Sequence, residues 1–322
     1  MKYIGWRTIL RAGGVWWLLA GTWCGVAQTP DTRIVEQSAT GIRAADRVII
    51  SKAEVARSRK ELLMDIPSVK NWTPGKSTEP LSLPKPSKKR LSPSEVAAKA
   101  LAAHLKVGWY YLCKRCDKWH LNLSGGYAIS TQGAVVTCDH VLELDDSMRE
   151  GFLIASTDSG EVLPVIAILA RNEQLDAAII QVSGGKLNAL PLNHQVHLGD
   201  AAYCYSDPLS QSGYFSAGLV NRFYWKRANR TGREDSLDVL CHLRMNVSTD
   251  WAPGSSGAAV LDECGNAIGH VSTISLLAQH ERQKGRNTAA TNTTEKAYMI
   301  LHEAVPSRGI LCLAKQGKIT QR

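Results

Sequence analysis

An all-β domain, a sandwich or a barrel, is the fold class that the sequence predicts for most of the chain. From Leu105 onward, short apolar runs alternate with turn signals such as Gln132-Gly133 and Gly184-Gly185, as in antiparallel strands. Strands do not alternate with long helical periods, which argues against a parallel α/β sheet. The candidate strands cover residues 106–112, 126–130, 134–137, 152–155, 162–170, 177–182, 201–205, 214–221, 238–246, 258–261 and 267–272.

The first 27 residues have the composition of an export signal. Basic Lys2, Arg7 and Arg11 precede an apolar run over residues 12–26, and small residues end at Ala27. This order predicts a signal peptide over 1–27, cleavage after Ala27 and a secreted or periplasmic protein. The apolar run is shorter than the roughly 20 residues of a spanning helix, so an uncleaved anchor is disfavoured.

Residues 28–91 are predicted to form a Pro- and Lys-rich linker that is largely disordered. Five prolines between positions 67 and 86 alternate with Ser and Lys, a composition that cannot build a packed core. A short helix is expected only at about 51–63. The linker ends at Ser92-Pro93-Ser94-Glu95, a capping box with proline at the first helical position. The folded domain is therefore predicted to begin at Ser92 with a short N-terminal helix.

The basic charge of the chain lies outside the predicted domain. The formal net charge is +9, but acidic and basic residues balance after residue 100. Nucleic-acid binding by the domain is therefore not expected. The cluster Lys88-Lys89-Arg90 suits weak contact with an anionic envelope surface, although a solvated linker is the favoured interpretation. No motif indicates a cofactor, and nothing in the sequence indicates an oligomeric state.

The segment Gly254-Ser255-Ser256-Gly257 places a hydroxyl on a permissive turn that leads into an apolar run. Small neighbours let the backbone turn sharply and bring its N–H groups close to whatever approaches the hydroxyl. A serine in such a turn becomes a good nucleophile only with a base and a group that orients the base.

A base and an orienting carboxylate both occur at strand ends. His140 ends an apolar hairpin over residues 126–141, where an imidazole can be held facing a cleft. Asp176 stands at the head of the strand predicted over 177–182, and an imidazole N–H would satisfy its carboxylate. Taken singly, a strand-end histidine is more often structural, and a turn aspartate is as common as a catalytic one.

The order His, Asp, Ser in an all-β chain resembles the trypsin-like peptidase family, in particular the bacterial exported branch that includes the HtrA-type proteases. The motifs that carry the resemblance are Thr137-Cys138-Asp139-His140, Asp176-Ala177-Ala178-Ile179 and Gly254-Ser255-Ser256-Gly257. It covers about residues 105–315 and implies a chymotrypsin-like fold of two antiparallel six-stranded β-barrels. A protease domain over 92–316, with a returning strand at 297–301, a C-terminal helix, a tail over 317–322 and no PDZ module, is expected.

The resemblance also implies a serine endopeptidase that cleaves protein or peptide substrates. Ser256 would attack the scissile carbonyl, His140 would take and return the proton, and Asp176 would orient the imidazole. The backbone N–H groups of Gly254 and Ser256 would form the oxyanion hole. One alternative is a catalytically inactive protease-like binding module. The other is an α/β-hydrolase, which is disfavoured because the histidine precedes the serine in the chain.

Four residues are candidates for substrate binding: Asp250, Gly269, His270 and Ser272. Asp250 lies six residues before Ser256, the spacing of the carboxylate that gives trypsin its preference for Lys and Arg, but the adjacent tryptophan indicates a rebuilt loop. The other three lie on the strand expected to line the cleft. His270 resembles the histidine of glutamate-specific relatives with an offset of one residue, which reverses the face of a strand, so a core or surface role is favoured.

Two further segments depart from the family pattern. Asp139 replaces a small residue before the base and is expected to face solvent. Ala258-Ala259 follows the serine turn where relatives have a second small residue and proline, and alanine is expected to preserve the turn. Residues 275–296, rich in Ala, Asn and Thr, are predicted to form a mobile loop.

Seven cysteines follow Ala27, and their pairing is not determined by the sequence. In an oxidising compartment an odd number leaves at least one thiol free or intermolecular. Cys113, Cys116 and His120 supply three possible zinc ligands, but no second pair follows to complete four. A local disulfide or unpaired thiols are therefore favoured over a metal site.

Overall fold

The computed structural model describes residues 37–74, 81–227, 232–280, 295–317 and 319–321. The predicted export signal lies outside these residues. Among the helices of the described part, none is both long enough and apolar enough to cross a membrane.

Six antiparallel strands close the first barrel in the order β2-β3-β4-β7-β6-β5. The barrel is filled by apolar side chains such as Val107, Val135 and Ile180, all fully buried, and this burial is its main source of stability. Its strands are β2 (His104–Cys113), β3 (Trp119–Ala128), β4 (Ala134–Thr137), β5 (Met148–Ser156), β6 (Val162–Asn172) and β7 (Ala177–Val182).

The second barrel is closed in the order β10-β13-β12-β11-β8-β9, again antiparallel. Cys204, Met245 and Val260 are fully buried inside it. Its strands are β8 (Ala201–Ser206), β9 (Tyr214–Trp225), β10 (Leu243–Val247), β11 (Ala259–Leu261), β12 (Ala267–His280) and β13 (Glu295–Pro306). The predicted class, all-β with two six-stranded barrels, is confirmed.

One predicted strand is partly helical. Residues 238–246 were expected to be continuous β structure, but the helix α4 (Leu237–Leu240) precedes β10. Leu237, Val239 and Leu240 are all buried, because a single helical turn presents them to the core. Short apolar runs do not distinguish these two outcomes.

Two helices pack at the ends of the domain. Helix α3 (Pro93–Ala103) begins with the predicted capping box, in which Glu95 N donates to Ser92 Oγ and Ser92 N donates to Glu95 Oε2 at 2.7 Å. Helix α5 (Ser307–Gln316) follows β13, as expected for a C-terminal helix. Both helices contribute buried side chains to one apolar cluster that also contains residues of both barrels.

The prediction of a largely disordered linker over 28–91 is wrong for the part that the structure describes. Helices α1 (Ala39–Ser58) and α2 (Ile66–Lys70) and strand β1 (Leu81–Leu83) form there. Helix α1 buries Ile49, Ala53 and Ala56 in a cluster with residues of the first barrel. Tyr110 Oη of β2 also donates to Glu54 Oε2 at 2.7 Å. These contacts are long-range, so composition alone does not reveal them.

Strands β12 and β13 continue past the barrel as a two-stranded ribbon. Paired residues run from Ile274 opposite His302 to His280 opposite Glu295, so the prediction of a loop over 275–296 is wrong at both its ends, and its middle lies outside the described residues. Leu276, Leu277 and Ile300 are about half exposed on the ribbon. The predicted tail instead contains β14 (Ile319–Gln321), which pairs in parallel with β1.

Candidate active site

Ser256 lies on the turn between β10 and β11, where two glycines have left-handed backbones. The φ angles are +98° at Gly254 and +84° at Gly257, a region that favours glycine. A Cβ at Gly257 would lie 2.3 Å from Gly125 O of the first barrel. The turn therefore needs glycine both for its conformation and for the close approach of the two barrels.

Strand β3 of the first barrel forms hydrogen bonds to this turn. Gly125 N donates to Ser256 O at 2.8 Å. The Ser124 hydroxyl lies 3.2 Å from Gly254 O and 3.0 Å from Ser256 O. No local sequence pattern marks Ser124, because its role depends on contact between distant parts of the chain.

The backbone N–H groups of Gly254 and Ser256 make no hydrogen bond to any described residue, whereas the intervening Ser255 N donates to Ala252 O at 3.0 Å. Two neighbouring unpaired donors beside a hydroxyl have the arrangement that an oxyanion hole requires. Ala258 N donates to Ser255 O at 3.0 Å, so the alanine that departs from the family pattern takes part in the turn.

His140 begins a one-turn 3-10 helix after β4, and Asp176 stands just before β7. His140 Nδ1 is 2.9 Å from Asp176 Oδ1, and the His140 backbone N–H is 3.3 Å from the same oxygen. The hydrogen bond to Asp176 raises the pKa of His140 above its ordinary 6.5, against the opposing effect of burial. Asp176 has φ +60°, an uncommon conformation for aspartate that directs the carboxylate toward the histidine.

Two residues of β12 hold Asp176 from the second barrel. Ser272 Oγ donates to Asp176 Oδ2 at 2.5 Å, and His270 Nε2 is 2.8 Å from Asp176 O. Burial favours the neutral acid, but the hydrogen bonds and charge of His140, with the bond from Ser272, outweigh it and lower the pKa of Asp176 to about 2. Burial lowers the pKa of His270 to about 4, so His270 is a neutral donor near pH 7.

Asp139 is buried, which corrects the expectation that it faces solvent. Its two carboxylate oxygens each accept a hydrogen bond from Arg171 at 2.7 Å. Such a two-point ion pair has a fixed geometry. It anchors the residue next to His140 to strand β6.

One cavity of about 560 Å³ is lined by His140, Asp176 and Ser256 together. The first two come from the first barrel and the serine from the second. Ser256 Oγ is 3.5 Å from Ser272 O, and within the described residues no hydrogen bond joins it to His140. The structure thus brings the three sequence-predicted residues to one cleft, with the serine hydroxyl turned toward β12.

The four predicted substrate-binding residues are placed differently from one another. Ser272 lines the cavity and bonds to Asp176. Gly269 and His270 are buried in the barrel, so of the core and surface roles considered for His270, its position corresponds to the core. Asp250 is exposed. Its backbone N donates to Ser216 Oγ, and Ser216 Oγ donates to Asp250 O, both at 3.1 Å. It does not line the cavity.

Trp251 lines the cavity, although in the sequence it indicates only a rebuilt loop. Its indole Nε1 donates to Thr273 O at 3.2 Å. This bond connects the wall formed by residues 251–253 to the wall formed by residues 272–274. An apolar aromatic residue next to the serine turn was the available signal for its position in the pocket.

All seven described cysteines are free thiols: Cys113, Cys116, Cys138, Cys204, Cys241, Cys264 and Cys312. Cys138 is fully buried, and its thiol donates to Val271 O at 3.0 Å.

Residues 124–269 match the family model described as trypsin-like peptidase domain. No curated protein has a significant match to the chain. The matched segment includes β4, β7 and the serine turn, and it lies within the two closed six-stranded barrels. Residues 124–269 are therefore similar to a trypsin-like peptidase domain, and the two closed six-stranded antiparallel barrels are consistent with a chymotrypsin-like fold.

Proposed function

We propose that this protein is an exported serine endopeptidase with His140, Asp176 and Ser256 as its catalytic triad. The observation that carries the proposal is the convergence of these three residues, from two barrels, on one cavity beside two unpaired backbone N–H groups. The depressed pKa of Asp176 and the raised pKa of His140 are those of an ionised carboxylate that orients a base.

In the proposed mechanism, Ser256 attacks the scissile carbonyl carbon as its proton passes to His140. The serine hydroxyl first leaves its contact with Ser272 O. Asp176 stabilises the imidazolium that forms, and the N–H groups of Gly254 and Ser256 bind the developing oxyanion. His140 then donates the proton to the leaving amine, and water hydrolyses the acyl-enzyme by the same steps.

A serine-reactive fluorophosphonate probe tests the nucleophile. The mature protein should be labelled, and Ser256→Ala should abolish labelling. Ser255→Ala is the matched control, because the Ser255 hydroxyl is buried in the same turn and has no partner. Labelling that persists in Ser256→Ala would contradict the assignment.

A second candidate is a protease-like module that binds peptides without cleaving them. It is favoured by one observation, that the Ser256 hydroxyl lies against Ser272 O rather than His140. Absence of labelling in folded wild-type protein, together with saturable binding of a peptide in the cleft, would support this candidate over the peptidase.

Trp251 supports a preference for small side chains immediately before the scissile bond. Trp251 is 5% exposed. Its ring packs edge-on against His302 with ring centroids 5.0 Å apart, and its indole bond to Thr273 O connects the two walls beside Ser256. A large side chain would have to displace this indole. Since Asp250 lies away from the cavity, nothing at this position supports a preference for Lys or Arg.

Export is proposed from the first 27 residues, with cleavage after Ala27. The measurement is the N-terminal residue of protein recovered from outside the cytoplasm, and a retained Met1 would contradict cleavage.

Lys88 and Lys89 remain the basic pair for weak contact with an anionic surface, since Arg90 is bound to Glu263 at 2.9 Å.

A further inference from the structure

A cluster of two thiols and an imidazole lies at the tip of the β2–β3 hairpin, remote in sequence from the serine turn. The ligating atoms of Cys113, Cys116 and His120 all lie within 4.8 Å of one another. Cys116 Sγ and His120 Nε2 are 3.0 Å apart. These residues are not used in the proposed peptidase mechanism.

The hairpin loop is folded so that it directs these side chains toward one point. Cys113 N donates to Lys118 O at 2.9 Å, and Asp117 N donates to Cys113 O at 3.1 Å. Asp117 has φ +52°, which turns the chain back after Cys116. His120 follows on β3, so its imidazole lies beside the second thiol without any rearrangement of the strands.

We propose that Cys113, Cys116 and His120 bind a zinc ion, with a fourth coordination position open to water or to an external ligand. Thiolate and imidazole together are the donor set that selects zinc among the common divalent ions. In a tetrahedral zinc site, bonds of about 2.0–2.3 Å place neighbouring ligand atoms roughly 3.3–3.8 Å apart. The observed spacing reaches this range through small side-chain rotations.

The backbone around the first thiol is arranged to accept negative charge. Arg115 N donates to Cys113 Sγ at 3.4 Å, a contact that stabilises a thiolate more than a thiol. Lys114 and Lys118 also lie in the loop. Asp117 is bound to Arg149 at 2.6 Å, so it is committed elsewhere and does not serve as the fourth ligand.

Accessibility separates this cluster from the other group of potential ligands. Cys116 is exposed and His120 half-buried, so an ion can enter from solvent. Cys138, His140 and Asp176 are also mutually close, but Cys138 is buried and bonded to Val271 O, and the other two belong to the proposed triad. A local disulfide would use the two cysteines but would leave the position of His120 without a role.

Titration of the reduced, metal-free mature protein with Co²⁺ tests the site. Tetrahedral cobalt bound by thiolates gives intense ligand-field and sulfur-to-metal charge-transfer absorption, and one equivalent of Zn²⁺ should bleach it. His120→Ala and Cys116→Ser should each weaken binding by more than about tenfold, the lower end of the loss seen when only outer-shell partners are removed. Cys264→Ser is the matched control, since Cys264 is a partly buried free thiol outside the cluster.

Two results would overturn the proposal. One is the absence of thiolate-to-cobalt absorption in the reduced wild-type protein. This result counts equally if the protein is isolated with a Cys113–Cys116 disulfide and takes up no metal after reduction. The other is unchanged affinity and spectrum in both folded variants. Circular dichroism verifies folding, and His120→Asn replaces His120→Ala if the alanine variant does not fold.

Discussion

His140 is the residue whose protonation should set the pH dependence of the proposed activity. A general base acts in its neutral form, and the hydrogen bond to Asp176 raises the pKa of His140 above 6.5. Activity should therefore fall as the pH decreases through this raised pKa. In Asp176→Asn the favourable charge is lost, so the acidic limb should move to lower pH while kcat falls by about 10⁴-fold.

The measurement is kcat/KM against pH for both proteins, with a peptide substrate found by library digestion. Ser255→Ala is a suitable control, because it changes the same cleft region without touching Asp176. An acidic limb at the same pH in wild type and Asp176→Asn would mean that His140 is not the titrating base.

At the scale of the element, the wall formed by residues 251–253 should determine which side chain enters the pocket. Trp251→Ala removes the indole that is bonded to Thr273 O. The cavity should then accept large apolar side chains, with kcat/KM for such substrates rising by at least about tenfold relative to small ones. Competitive digestion of a peptide library measures this ratio, and an unchanged order of preference would exclude Trp251 as the determinant.

The elements predicted from local signals are those the structure confirms best. The capping box at Ser92 fixed the start of α3, and alternating runs located most barrel strands, because both signals are contained in a few neighbouring residues. Helix α1 was predicted only in part, as a short helix at about 51–63, and the β12–β13 ribbon only through its returning strand at 297–301. Helix α1 depends on Tyr110 and other barrel residues far along the chain, and the ribbon on pairing across residues 281–294.

The same distinction applies to the site. His140, Asp176 and Ser256 were found from strand ends, turn residues and their order in the chain, and the structure places all three on one cavity. Ser124 was missed because a serine in a strand carries no local sign that it contacts another barrel. The catalytic roles of His140, Asp176 and Ser256 are proposals that rest on this geometry.

At the scale of the whole molecule, Asp207 connects the two barrels. It follows β8 of the second barrel, and its Oδ2 lies 3.2 Å from His104 Nε2 and 3.5 Å from Lys106 Nζ of the first. Burial opposes ionisation, but His104, Lys106 and a hydrogen bond from Gly213 N lower the pKa of Asp207 to about 2.

This depressed pKa predicts how stability depends on pH. A carboxyl with a lower pKa in the folded state stabilises the fold above its unfolded pKa of 3.8 and loses this effect as the pH falls toward about 2. The contribution corresponds to about 2 kcal/mol. Urea unfolding should show the largest stability difference between wild type and Asp207→Asn at about pH 6, roughly half of it at about pH 3, and little of it below about pH 2. A difference that does not change with pH would contradict this origin.

The contact between Gly125 and the serine turn has a consequence for genetic screens. A Cβ at Gly125 would lie 2.7 Å from Ala258 N and 2.9 Å from Ala258 Cβ, so any substitution there pushes the two barrels apart at the proposed nucleophile. In a scan scored only by loss of activity, Gly125 should rank with the triad although it carries no functional group. Measuring protein abundance in parallel would not distinguish Gly125 from the triad, because the displacement is local and should leave abundance unchanged. The triad residues are distinguished from Gly125 by their chemistry: the triad needs its side chains to react, whereas position 125 needs to have no side chain.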